Sequence, residues 1–253
     1  MPVVESECII LKSYGLSEAD RIVVFFTRDH GLVRGVAKGA KRLKSKFGSS
    51  IEPFSESFVS YFQKDSVELV SIQSADLRRA SFDIASRPEF LQRFAYLSEL
   101  LIIFSQPHDP NETLYRMVRS SIETASQPNV SLAAIGVYFE AWLLRLSGFM
   151  PDWKSCGNCN RALEAGTQLG YISDMHLVCS NCLHLPNARE FSSSAFAAYI
   201  ATQKTTPADF AAKFTSDPPE LRELSSIFKR IIERAIGRSV PLEMSLEAGA
   251  FTG

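Results

Sequence analysis

Two pairs of cysteines place the strongest constraint on how this chain can fold. Cys156 and Cys159 form one C-x2-C pair, and Cys179 and Cys182 form a second after nineteen intervening residues. This spacing is typical of a four-thiolate zinc site, because each pair forms a tight knuckle and the intervening segment brings the two knuckles together. Small turn-forming residues fill both pairs, "GN" in the first and "SN" in the second. The sequence therefore predicts a zinc finger within residues 151–189.

Two other uses of these cysteines stay open, namely a pair of disulfides and an iron–sulfur cluster. Disulfides are rare in the cytosol, where we expect this chain to reside. Its first fifteen residues lack the pattern of a signal peptide, and apolar runs such as "LLIIF" are far too short to span a membrane. A site closed by four thiolates leaves no position for a catalytic water, so the predicted zinc is structural. His176 and His184 are interpreted as surface or supporting groups, and Cys8 as a small buried hydrophobe.

Five short segments rich in β-branched and aromatic residues predict strands in the first 75 or so residues. They cover residues 7–15, 19–27, 31–37, 57–64 and 67–73. The segment "RDHG" at 28–31 is predicted to be the tight turn of a hairpin. Five short strands in this length fit a small, partly open barrel of the oligonucleotide-binding (OB) type, with an SH3-like barrel as the alternative. We predict that this OB domain spans residues 1–77.

Beyond residue 77 the apolar residues recur every three or four positions, which predicts helices. The predicted helices cover residues 88–104, 111–125, 131–148, 192–203 and 218–237. The third is apolar nearly all round and is therefore expected to be buried. A weakly structured segment is predicted at 204–219. The helical domain thus has two parts, residues 78–150 and 190–253, on either side of the zinc finger, and the fold class is α+β multidomain.

Positive charge is concentrated between Asp29 and Glu52. The chain has 27 basic and 28 acidic residues and a net charge of −1, yet this segment contains six cations and no Asp or Glu. These six residues, here called the basic cluster, are Arg34, Lys38, Lys41, Arg42, Lys44 and Lys46. A local charge of this size attracts a polyanion even when the net charge does not. The alternative interpretation is a solvated, flexible hairpin tip.

Most of the basic cluster lies in residues 37–49, "AKGAKRLKSKFGS", here called the basic loop. Its glycines allow close approach of the backbone to a ligand. The loop lacks the G-x4-G-K-[ST] pattern, so its dispersed cations suit the successive phosphates of a nucleic acid better than a single triphosphate. Phe47 and Phe54 are candidates to stack on bases or to lie in the core, and Lys12 and Arg21 are candidates to extend the phosphate track.

Residues 17–54 contain T-x-x-x-G beginning at Thr27, the "AKGAKR" run, Ser45 after Lys44, and a closing "PF". Together these features resemble the signature of the RecO family of bacterial DNA repair proteins. The later order also agrees, since a helical region leads through "LSGFMPDWKSCGNC" into the cysteines. The resemblance covers essentially the whole chain. Some family members lack the metal cysteines, whereas this sequence keeps all four. Residues 1–77 contain ten acidic and ten basic residues, so DNA binding would depend on the basic cluster.

The resemblance implies an OB domain followed by a helical domain that carries a zinc finger. It implies a non-catalytic recombination mediator in the bacterial cytosol, associated with the nucleoid. Such a protein would bind single- and double-stranded DNA and anneal complementary strands. It would act with RecR so that RecA loads on strands coated by single-stranded DNA-binding protein. No H-E-x-x-H, G-x-S-x-G or G-x-G-x-x-G motif occurs, which agrees with the absence of catalysis.

The resemblance further implies that the acidic, apolar C-terminal tail of single-stranded DNA-binding protein docks on the helical domain. A groove between helices 88–104 and 112–125 is predicted for this tail. Its apolar lining would be formed by Phe90, Leu97 and Leu101. Its cationic rim would be formed by Arg93, Arg116 and Arg119.

Two alternatives belong to other classes of protein. The first is a zinc-containing translation or transcription factor that binds structured RNA through the same OB surface. The second is an enzyme, such as a nuclease that uses the cysteine-bound metal. Closed ligation by four thiolates argues against the second alternative.

Overall fold

The computed structural model describes residues 3–63, 69–80, 86–214 and 217–238. Ser126 is the last described residue of one compact unit, and a second unit begins at Gln127. The bounds of the four predicted segments, 1–77, 78–150, 151–189 and 190–253, stay a prediction. The ends of two predicted strands, at 64 and 67–68, and the last fifteen residues of the predicted helical domain lie outside the described residues. Among the helices that are described, none combines the length and apolarity needed to cross a membrane.

The first unit contains a closed barrel of five strands. These are β1 (Val3–Gly15), β2 (Arg21–Thr27), β3 (Gly31–Ala37), β4 (Glu56–Phe62) and β5 (Leu69–Arg79). Their order around the barrel is β1-β2-β3-β5-β4, and β4 pairs with β1. The β3–β5 pair is parallel and the other pairs are antiparallel. This arrangement confirms the predicted OB-type barrel, although the barrel is closed rather than partly open because β3 and β5 pair directly.

The sequence of strand β2 is almost continuously apolar because both faces of the strand are buried. Val23 and Phe25 belong to the core inside the barrel, and Phe25 contacts Tyr61 edge to face with ring centroids 5.8 Å apart. Side chains alternate along a strand, so Val24 and Phe26 point outward, and both are nevertheless buried. A strand that is covered on both faces loses the polar–apolar alternation expected of a half-exposed one.

The predicted hairpin turn joins β2 to β3. Gly31 follows the turn with φ +63°, and a Cβ atom there would lie 2.2 Å from the carbonyl oxygen of Asp109. Glycine is therefore required both by the backbone conformation and by the close approach of another segment. The hydroxyl of Thr27 donates to the Gly31 carbonyl at 2.9 Å and closes the turn.

Helices α1 (Pro88–Phe104) and α2 (Glu112–Ala125) complete the first unit, within the predicted bounds. The side chain of Asn111 caps α2 by accepting a hydrogen bond from the Leu114 amide at 2.9 Å. Phe26 of β2 lies on the outer face of the barrel. It packs there against Tyr115 of α2, with ring centroids 6.2 Å apart.

A buried carboxylate links α2 to the barrel. Glu56 of β4 is 5% exposed. Its two oxygens lie 3.5 Å from Arg79 of β5 and 2.9 Å from Arg119 of α2. A buried carboxylate is costly without partners, so these two arginines have a structural role in the first unit.

The second unit contains helices and a small sheet. The helices are α3 (Leu132–Leu146), α4 (Ser193–Lys204), α5 (Pro207–Ala211) and α6 (Pro219–Ile236). Ser131 caps α3, which is largely buried and packs against the other three helices, as its sequence predicts. The sheet has the order β7-β6-β8, with β6 at Leu169–Tyr171, β7 at Leu177–Cys179 and β8 at Arg189–Phe191.

One prediction about the second unit is wrong. The segment 204–219, expected to be weakly structured, contains helix α5. Thr206 caps this helix by accepting a hydrogen bond from the Asp209 amide at 3.1 Å. Phe210 is completely buried and its ring lies 5.8 Å from that of Tyr138. Helices this short are marginal by propensity, so tertiary burial of Phe210 stabilises what the local sequence does not predict.

Candidate metal centre and nucleic-acid interface

The four cysteines of the predicted zinc site come together in the second unit. Cys179 is the last residue of β7, and Cys182 ends the short 3-10 helix Ser180–Cys182 that follows. Cys156 and Cys159 lie in the turn that precedes the small sheet. The metal-binding atoms of all four residues lie within 4.8 Å of one another. The sequence therefore correctly predicted a single cluster.

The geometry fits one tetrahedral ion. A zinc–sulfur bond of about 2.3 Å places the sulfurs of a tetrahedral site about 3.8 Å apart. The sulfur atoms of Cys159 and Cys179 are 3.7 Å apart. A disulfide needs an S–S distance of about 2.05 Å, and all four cysteines are free. The arrangement is thus that of a metal site rather than of two disulfides.

Hydrogen bonds at the cluster favour the thiolate form that a metal requires. The amide of Cys179 donates to the sulfur of Cys156 at 3.4 Å, and Asn158 donates to the sulfur of Cys182 at 3.3 Å. Burial opposes ionisation of Cys156, but hydrogen bonds from backbone amides lower its pKa to about 6. The Asn158 hydrogen bond also lowers the pKa of Cys182, but burial and the thiols of Cys159, Cys156 and Cys179 outweigh it and raise this pKa to about 11. The hydrogen bonds therefore favour ionisation of Cys156, and not of all four thiols at once.

Glycine is needed at position 157, within the first knuckle, because His176 lies close to it. A Cβ atom at Gly157 would lie 2.8 Å from the Cβ atom of His176. The Gly157 amide also donates to the carbonyl of Leu177 at 2.8 Å, which ties the first knuckle to β7. His176 therefore packs behind the first knuckle, and His184 is exposed. These positions agree with the interpretation of both histidines as supporting or surface groups.

Trp153 anchors the cysteine segment to the helices of the second unit. Its side chain is 1% exposed, and its rings lie 4.7 Å from Tyr199 of α4 and 5.9 Å from Phe228 of α6. The indole N–H donates to the carbonyl of Met175, between β6 and β7, at 2.8 Å. This role of Trp153 was not predicted from the sequence. A lone tryptophan three residues before the first metal cysteine was the available signal.

The basic loop leaves the barrel at the end of β3 and is held to the loop between β1 and β2. The Gly39 amide donates to the carboxylate of Asp20 at 2.8 Å, and the Lys41 amide donates to the carbonyl of Ala19 at 2.9 Å. The Lys41 ammonium group donates to the carbonyl of Ser17 at 2.8 Å. The loop is therefore an ordered element of the barrel surface. The role of Asp20 could not be read from the sequence.

The structure divides the basic cluster into three kinds of residue. Arg34 lies within β3 and is half-buried. Lys41 and Lys46 are exposed, but their ammonium groups donate to backbone carbonyls, those of Ser17 and Gln73. The other members are exposed cations with no hydrogen bond or ion pair to any described residue: Lys38, Arg42 and Lys44. These last cations are the ones most available to a ligand.

The structure assigns both candidate stacking aromatics to the core. Phe47 is 3% exposed and belongs to the barrel core, and Phe54 is 3% exposed and packs edge to face on Phe90 and Phe94 of α1. The proposed stacking on bases is therefore wrong for both residues, since neither ring face is accessible.

The two candidate extensions of the phosphate track are each paired with a carboxylate. Lys12 lies 2.6 Å from Glu99 of α1, and Arg21 lies 2.7 Å from Glu52. The charge on each is thereby compensated, unlike that on Lys38, Arg42 and Lys44 of the basic loop, which have no carboxylate partner among the described residues.

The predicted groove between α1 and α2 does not exist in the expected form. Phe90, Leu97 and Leu101 are at most 1% exposed, so they are core residues and cannot line an open groove. Arg119 is engaged by Glu56. Arg116 is exposed and Arg93 is half-exposed, and a partner-binding role for these arginines stays a prediction.

The fold and the two sites together define a class of protein: an OB-type barrel with an ordered cationic loop, joined in sequence to a helical unit with a four-cysteine centre. Comparison with known families agrees. The family model "Recombination protein O N terminal" matches residues 1–80, and "Recombination protein O C terminal" matches residues 94–243. The chain belongs to the Recombination protein O family, which confirms the resemblance stated from the sequence.

Several curated relatives are named DNA repair protein RecO. The protein from Caldanaerobacter subterraneus subsp. tengcongensis is 31% identical over 191 residues, which cover 72% of each chain. The protein from Koribacter versatilis is 29% identical over 177 residues, 70% of this chain and 71% of the relative. The protein from Geobacter metallireducens is 30% identical over 182 residues, 72% and 73% respectively. These names support a function in DNA repair and recombination and denote no catalytic activity.

Proposed function

We propose that this protein is a non-catalytic recombination mediator of the bacterial cytosol. In this proposal it binds single- and double-stranded DNA, anneals complementary strands, and acts with RecR to load RecA on strands coated by single-stranded DNA-binding protein. The observation that carries the proposal is the basic loop, an ordered set of exposed cations on an OB-type barrel. Family membership supports the choice of DNA in repair over other polyanions.

The chemistry of the loop suits the phosphate backbone. Lysine and arginine side chains neutralise successive phosphates and release counterions, and these contacts carry no information about base identity. Hydrogen bonds donated by Gly39 and Lys41 to the Asp20 carboxylate and to the carbonyls of Ala19 and Ser17 hold the loop in place before it binds. Less conformational entropy is therefore lost when a strand binds. A mediator that acts on any sequence needs this kind of contact.

We propose that the metal held by Cys156, Cys159, Cys179 and Cys182 is one structural Zn²⁺ ion. Four thiolates close enough to surround one ion tetrahedrally are a ligand set of structural zinc sites. Bound there, zinc would supply no reaction chemistry and would fix the two knuckles and the small sheet. The closed ligand set leaves the cation without an open position for a substrate.

The decisive experiment for the proposed function is strand annealing. Two complementary DNA strands, each coated with single-stranded DNA-binding protein, should anneal faster with this protein and respond to added RecR. Bare complementary DNA strands should also anneal, whereas a factor specific for structured RNA needs 2′-hydroxyl contacts and should not accelerate this reaction. Failure to accelerate annealing of either kind of strand contradicts the proposal and favours the RNA-binding alternative.

A triple substitution tests the DNA contacts of the basic loop. Replacing Lys38, Arg42 and Lys44 by alanine removes the cations that have no described partner and leaves the loop's anchoring hydrogen bonds intact. The slope of log affinity against log salt is negative, and each lost phosphate contact should reduce its magnitude by about 0.7 on single strands. We therefore expect the magnitude of the slope to fall by about 2 in the triple variant. Fluorescence anisotropy of a labelled oligonucleotide across a salt series measures this slope.

A matched variant controls for net charge. Replacing Arg116, Arg161 and Lys213 by alanine removes the same charge from exposed positions outside the basic cluster. This control should keep the wild-type salt slope. Equal slopes for the loop variant and the wild type would show that the basic loop is only a solvated turn.

A further inference from the structure

The tip of the basic loop presents an apolar side chain to solvent. Leu43 is 102% exposed, whereas Val3, the next most exposed large apolar residue in the described part of the chain, is 52% exposed. Scattered half-exposed leucines are normal on protein surfaces. A leucine without any covering contact, placed between Arg42 and Lys44, is a different case, because its full apolar surface is available to a ligand that the cations attract.

The backbone holds this leucine in a projecting position. The Arg42 amide donates to the carbonyl of Gly39 at 3.1 Å, and the Ser45 amide donates to the carbonyl of Arg42 at 2.9 Å. Leu43 therefore lies in the second of two consecutive turns. Gly39 has φ +72°, and its amide is held by Asp20 at 2.8 Å. The tip is thus ordered on both sides of the projecting side chain.

We propose that Leu43 is a wedge that inserts between adjacent bases of the strand bound by the basic loop and separates their stacked faces. Apolar side chains such as leucine are inserted between base steps by proteins that deform nucleic acids, while neighbouring cations hold the phosphates. Lys38, Arg42 and Lys44 are the cations for that task here. The inference depends on the proposed DNA binding and adds base unstacking to it. Unstacked bases are free to pair with a complementary strand, which suits annealing.

The exposed leucine would contribute to binding because its side chain is buried against bases only in the complex. Its surface is in water in the free protein and would leave water in the complex, and burial of apolar area is favourable. The gain is offset in part by the lost stacking of the two bases. We therefore expect a three- to tenfold loss of affinity in Leu43→Ala, roughly the range left after that offset.

The test uses the full-length protein and a short single-stranded DNA that contains 2-aminopurine at internal adenine positions. Stacking quenches the fluorescence of 2-aminopurine, so wedge insertion increases it. At saturating protein, the wild type should increase the fluorescence and Leu43→Ala should not. The salt slope of Leu43→Ala should equal that of the wild type, because no phosphate contact is removed.

Leu91→Ala is the matched control, since Leu91 of α1 is 38% exposed and lies outside the basic loop. It should behave as the wild type in both measurements. An equal increase in fluorescence for Leu43→Ala and the wild type, with intact salt-dependent binding, overturns the wedge alone. If Leu43→Ala keeps that increase and instead loses the response of annealing to RecR, Leu43 contacts a protein and the wedge is also overturned. Absence of salt-dependent binding by the wild type overturns the proposed function together with the wedge.

Discussion

Cys156→Ser should fail to bind the proposed zinc ion, and the segment around the small sheet of the second unit should then unfold. The sulfur of Cys156 is completely buried and receives a hydrogen bond from the Cys179 amide, so a hydroxyl at this position is a poor metal ligand in the centre of the cluster. The free energy of zinc binding in closed four-ligand sites is folding free energy, on the order of 10–16 kcal/mol for small zinc-finger peptides at neutral pH. We expect loss of one thiolate to remove a large part of it. Metal analysis of purified protein, with limited proteolysis of residues 151–189, measures both effects.

Chelation and a second thiol variant complete this test. Prolonged treatment with EDTA should expose the same segment of the wild type to protease. Cys8→Ala removes a buried thiol from the barrel core and should keep the full zinc content, because Cys8 is not part of the cluster. Full metal loading and unchanged protease resistance in Cys156→Ser would refute the structural zinc site.

Trp153→Ala should cost about 3–5 kcal/mol in the free energy of unfolding of the second unit, the range for removal of a large buried aromatic side chain. The reason is its position: the indole fills the space between Tyr199 and Phe228 and donates a hydrogen bond to Met175. The substitution would leave both a cavity and an unpaired carbonyl oxygen. Urea denaturation followed by far-ultraviolet circular dichroism measures the change.

Two further variants test whether the loss of stability is specific to the contacts of the Trp153 indole. Trp153→Phe retains an aromatic ring but loses the indole N–H, so it should lose less stability than alanine does. Trp142→Ala removes the other tryptophan, which is only half-buried and donates to the Thr202 carbonyl at 2.9 Å, and should also cost less. A loss below about 1 kcal/mol in Trp153→Ala would show that the cysteine segment does not depend on this contact.

The sequence alone was sufficient wherever the controlling interaction is local in the chain. The period of apolar residues located α1 and α2, and Asn111 and Ser131 cap helices as capping propensity predicts. The turn at 28–31 was predictable because glycine is favoured at the positive φ that Gly31 adopts. The cysteine cluster was predictable because the spacing of the pairs encodes the knuckle geometry. Charge density likewise located the basic loop.

Tertiary structure decided which of several similar side chains are accessible. Phe47 and Leu43 are apolar residues four positions apart in one basic loop, yet Phe47 is 3% exposed and Leu43 is 102% exposed. Phe90, predicted to line a groove, is completely buried against Phe54, more than thirty positions earlier in the chain. Lys12 is compensated by Glu99, whereas Arg42 has no described partner. Burial and charge pairing depend on contacts between residues that are distant in the chain, so no local pattern of residues distinguishes these cases.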